Sequence, residues 1–71
     1  MSRPLLDLDV TLEHITDKSF KVSSLTADDI WVPRSLSEFE PESGLPEHRW
    51  VTPCKGVLSL SPSIAEEKGL V

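Results

Sequence analysis

Residues 5–15 read LLDLDVTLEHI, and apolar and polar side chains alternate along them. A strand sends successive side chains to opposite faces, so a period of two specifies a strand with one face in a core and one in water. Leu8, Val10 and Leu12 take the inner parity, and His14 falls on it as well. Asp7, Asp9 and Glu13 take the outer parity. The chain must therefore build a sheet with one wet side, and that side begins with acids.

The rest of the chain supplies partners for this strand. Thr16–Ser19 is turn-prone, because Asp17 can bond its own backbone two residues on. FKVSSL at 20–25 alternates again, with Phe20 and Val22 inward, and so reads as the second strand of a hairpin. TADD at 26–29 is a second turn, and IWVP at 30–33 a third strand that stops at Pro33. RWVTP at 49–53 and KGVLSLS at 55–61 read as further short strands around Pro53. SPSIAEEKGLV at 61–71 reads as a closing helix: Ser61 or Ser63 caps it, Pro62 suits its first turn and Gly69 its end. The fold class expected is α+β, a small antiparallel sheet (a three-strand meander plus one or two short strands) with a C-terminal helix. The core is expected from Leu8, Val10, Leu12, Phe20, Val22, Ile30, Val32, Val57, Leu58, Leu60 and Ile64.

The stretch 34–48 changes character. It carries Pro41, Gly44 and Pro46, with acids at Glu38, Glu40, Glu42 and Glu47. It reads as a long acidic loop within a single small domain, 1–71. Loops of this length inside compact domains are usually functional or disordered.

Composition excludes several function classes. The 71 residues include one cysteine, so no internal disulfide is possible, and a lone cysteine suits a reducing cytoplasm. Cys54, His14 and His48 have no metal-ligand spacing, so neither metal nor cofactor is expected. No apolar run approaches the ~20 residues that cross a bilayer. Gly44, Gly56 and Gly69 stand apart, so there is no phosphate-cradling loop, and no nucleophile motif occurs. An enzyme is not expected. Twelve acids against seven bases give a net charge of −5, and the bases are scattered. Such a chain is repelled by nucleic acid and by anionic lipid and attracted to basic surfaces.

The acids are the candidate site: Asp7, Asp9 and Glu13 on the first strand, Asp17, Asp28 and Asp29 in the turns, and Glu38, Glu40 and Glu42 in the long loop. Strand residues two apart lie roughly 6.5–7 Å apart, a pitch close to that of phosphates along one DNA strand. Carboxylates also bond arginine bidentately, as phosphates do. The plainer reading of the same pattern is the solvated side of an antiparallel sheet. Trp31 and Trp50 complete the candidates, since a tryptophan left exposed on so small a domain marks a contact surface.

Thr16–Lys18, Trp31–Ser35 and Ala65–Leu70 resemble three structural motifs of a recurrent class of small phage-encoded proteins: a hairpin, a Trp-x-Pro-x-Ser strand end and a short terminal helix. With their flanks, ITDKSFKV, DDIWVPRSL and SIAEEKGLV, these patches cover about a third of the chain, and they carry no chemistry. In type, a small acidic non-enzymatic phage protein is similar to the anti-CRISPR proteins, several of which mimic DNA. That resemblance implies a host-cytoplasmic inhibitor, monomer or weak homodimer, that binds the basic DNA-binding surface of a type I (Cascade-type) CRISPR surveillance complex and blocks target DNA. The alternative is a structural or accessory phage module that binds through exposed tryptophans and sheet edges.

Overall fold

The computed structural model describes residues 5–70. Five strands form one antiparallel sheet: β1 (Leu6–Ile15), β2 (Ser19–Ser23), β3 (Ile30–Pro33), β4 (Ser37–Pro41) and β5 (Cys54–Leu60), in the order β3-β2-β1-β5-β4. A single helix, α1 (Pro62–Glu67), follows. The fold is thus α+β, an antiparallel sheet with one short C-terminal helix.

Each boundary has a local cause. The Thr16 hydroxyl accepts the Ser19 amide at 3.0 Å, which closes the β1–β2 turn. Asp29 adopts a φ of 54° to end the β2–β3 turn, a backbone region that Asp tolerates better than most residues. Ser61 is the cap of α1, its hydroxyl accepting the Ile64 amide, and Pro62 occupies the first turn. Gly69, at φ 77°, lets the chain turn back after the helix so that Leu70 is buried.

Three expectations are corrected here. The stretch 34–48 is not a loop throughout: a 3-10 turn at Arg34–Leu36 leads straight into β4, and a second 3-10 turn spans Glu47–Arg49. Its alternating acids are a strand's outer face, with Phe39 and Pro41 buried between them. Residues 49–53 form no strand. The Trp50 amide bonds back to the Glu47 carbonyl, and Pro53 has no amide to give a ladder. The expected helix 61–71 is shorter, and its residue 71 lies outside the described residues.

The sheet curls strongly. Phe20 on β2 and Phe39 on β4 are separated by two strands in the sheet, yet their rings lie 6.1 Å apart. The inside of the curl holds the core: Val10, Leu12, Phe20, Val22, Val32, Phe39, Leu58, Leu60, Ala65 and Leu70. Ile64 and Trp50 pack on it from the same side. Gly56 is required there, because a Cβ would come within 2.3 Å of the Glu40 carbonyl oxygen and 2.5 Å of the Phe39 ring. Val57, expected inside, faces out, and the register shows why: it pairs with Asp9 and Glu40, whereas Leu58 pairs with the inward Leu8 and Phe39.

Candidate functional site

The outer side of the curled sheet is where the candidate residues collect. β1 and β4 both pair with β5, in registers that superpose their acids. Asp7 and Glu38 both stand opposite Ser59; Asp9 and Glu40 both stand opposite Val57. The result is two columns of two carboxylates with a neutral column between them. Each column has a pitch of about 6.6 Å, and the columns are about 10 Å apart by ordinary strand spacing.

The neutral column matters energetically. Like charges directly opposite on neighbouring strands are destabilising. Inserting β5 between β1 and β4 keeps the acids out of that relation. The Ser59 hydroxyl donates to Asp7 Oδ1 at 2.6 Å, which orients one carboxylate. All four acids are exposed, and among the described residues none forms an ion pair. They are also too dispersed to share one cation: among the described residues no three acid, His or Cys side chains cluster to hold a metal. The four therefore offer separate negative points.

The other predicted acids lie elsewhere. A bulge between Leu12 and His14 breaks the alternation of β1. Glu13 and His14 are both exposed there while Leu12 and Ile15 turn inward, so Glu13 leaves the row of Asp7 and Asp9. His14, expected on the inner parity, is placed outside opposite Lys21. Asp17 is exposed in the β1–β2 turn, far along β1 from Asp7. Asp28 and Asp29 sit in the β2–β3 turn, where Asp29 pairs with Lys21 at 3.3 Å. Glu42 continues the β4 ladder past Pro41, its amide bonding the Lys55 carbonyl. It shares the rim of a cavity of about 300 Å³ with Asp9 and Lys55. Lys55 lies beside both and bounds the acidic field at this end.

The two tryptophans part company. Trp31 is 44% exposed on the outer side of β3, with the His14 ring edge-on at 6.3 Å and 82°. Trp50 is on the inner side, 5.3 Å from the Phe39 ring and 6.3 Å from Phe20. Its indole N–H donates to the Leu45 carbonyl at 2.7 Å. Trp50 is consumed by packing and presents no free ring. Sequence reasoning also missed Arg34, which joins three parts of the fold. It donates to the Thr16 carbonyl at 2.8 Å, pairs with Glu47 and lies 5.1 Å over the Phe20 ring. It fastens the seam where β3 passes into β4.

Both sheet edges are blunt. The Arg34 amide bonds the Lys18 carbonyl and the Glu42 amide bonds the Lys55 carbonyl, which fixes the hydrogen-bonding parity of each edge. By that parity Trp31 and Pro33 face outward from β3, and Ser37, Phe39 and Pro41 from β4. The two prolines have no amide. The Pro33 carbonyl accepts the Ser37 hydroxyl, the Pro41 carbonyl accepts the Gly44 amide, and the Ser37 amide is held by the Arg34 carbonyl. Among the described residues, Trp31 on one edge and Phe39 on the other can still pair through both backbone groups, and Ser37 through its carbonyl.

The Cys54 thiol is pushed above its ordinary pKa by burial, which keeps it protonated and unreactive near neutrality. Among the described residues no helix is long and apolar enough to cross a membrane. No family model, no curated protein and no solved structure matches this chain.

Proposed function

We propose that this chain is a non-enzymatic inhibitor whose outer sheet face occupies the nucleic-acid groove of a basic host protein. The resemblance to anti-CRISPR proteins directs the reading to the DNA-binding surface of a type I CRISPR surveillance complex. The observation that carries it is the shared register of Asp7 with Glu38 and of Asp9 with Glu40, all four exposed among the described residues. Two columns of unpaired carboxylates give a basic groove more than one row to grip. Complementary charge of this kind steers encounter and fixes orientation, and it weakens with salt.

The accessory-module reading relied on tryptophans and sheet edges. Trp50 packs inward and both edges are shortened by prolines and by local bonds, so the acidic face is the better-supported contact.

The test is a competition assay. Purified type I surveillance complexes are incubated with the protein and then offered labelled target DNA at low and moderate salt. DNA binding should be lost, the loss should ease with salt, and D7N/D9N/E38Q/E40Q should restore DNA binding. A complex that binds the protein and still takes DNA would contradict the mimicry. No binding to any complex would overturn the choice of target.

A further inference from the structure

The outer face has a second region, away from the four carboxylates, built on Trp31. Its cross-strand neighbour Lys21 is drawn aside to Asp29 at 3.3 Å, and the Asp29 side chain remains 70% exposed. His14 meets the indole edge-on, and among the described residues no cation lies over it. An exposed indole and an accessible carboxylate thus flank the same Lys21 on a molecule of net charge −5.

The same molecule contains a filled version of that arrangement. Arg34 lies over the Phe20 ring, its Cζ 5.1 Å from the centroid, while its guanidinium pairs with the Glu47 carboxylate. A planar guanidinium satisfies both at once, since its face meets the ring and its edge donates to the oxygens. An ammonium group cannot do both with one plane. We propose that Trp31 and Asp29 form an arginine-receiving site: a partner's guanidinium stacks on the indole and takes Asp29 from Lys21. This rests on the proposed function only in taking the partner to be a cationic protein. It adds that the partner offers arginine, not merely positive charge, at this point of the contact.

Octa-arginine and octa-lysine peptides, equal in charge, are the probes. Their binding to the full chain is measured by fluorescence anisotropy at one ionic strength. Octa-arginine should bind more tightly, and W31L should lower its affinity about threefold while leaving octa-lysine nearly unchanged. D29N should act in the same direction. Both residues are exposed, and far-UV circular dichroism confirms that each variant is folded. If W31L weakens both peptides equally, or neither, the arginine site is overturned while the acidic-face reading stands. If D7N/D9N/E38Q/E40Q leaves both peptides unaffected but W31L still removes the arginine preference, the proposed function fails and this site survives. If neither peptide binds, both are overturned.

Discussion

Gly56 shows how one residue can hold a charged surface in place from the opposite side of the sheet. A methyl at this position would overlap the backbone of β4 and the Phe39 ring, so β4 must move away from β5. We predict that G56A destabilises the protein by about 2 kcal/mol or more, as overpacked cores do, measured by urea unfolding. Because β4 carries Glu38 and Glu40, the same change should weaken partner binding. Arg34 acts at the other end of β4. Its truncation to alanine leaves the Thr16 carbonyl and Glu47 without their donor and uncovers Phe20. R34A should cost about 2 kcal/mol, in the range of hydrogen bonds to charged groups, and R34K should recover only part of it. Cys54 gives a prediction in pH. Burial raises its pKa, so the folded state favours the protonated thiol. Its contribution is fully present below the ordinary thiol range and is lost as pH rises through the raised value. Alkylation of the native protein by iodoacetamide should therefore reach half its maximal rate at a higher pH than alkylation of the chain in urea. Coincident profiles would contradict this.

At the scale of the element, the alternating pattern of β1 was fully legible, because period two has one structural meaning when four apolar residues share a parity. Its limit was equally local. A bulge inserts one residue and reverses the parity beyond it, and nothing in Leu12–Ile15 marks the insertion. Hence Glu13 was placed in a row it does not join, and His14 on the wrong face. β4 was missed for a different reason. An edge strand with a single aromatic inside, flanked by acids and ending in proline, has the composition of a loop; its pairing with β5 is long-range information. The acids Glu38 and Glu40 were still singled out, from their spacing alone. What no local pattern disclosed was that β5 would lie between them and Asp7 and Asp9. That arrangement implies that the carboxylates do not serve the fold. D9N/E38Q/E40Q should melt at the same temperature as the parent chain or higher in low salt, because the self-repulsion of a net negative molecule is relieved. A lower Tm, by circular dichroism, would show that these acids are structural.

For the whole molecule the decisive feature is asymmetry. One side of a curled sheet is covered by α1 and Trp50, and the other, among the described residues, is open and acidic. A net charge of −5 would attract a basic surface from any direction, whereas the paired columns on β1 and β4 specify one. The central claim is that the placement of these acids, rather than their number, makes the inhibitor. Two variants that each remove four negative charges separate the two: D7N/D9N/E38Q/E40Q clears the columns, and E13Q/D17N/E66Q/E67Q clears exposed acids elsewhere. Both are titrated into the surveillance complex against labelled target DNA at one ionic strength. The account predicts that the first loses inhibition and the second keeps most of it; equal loss in both would show that net charge alone is at work.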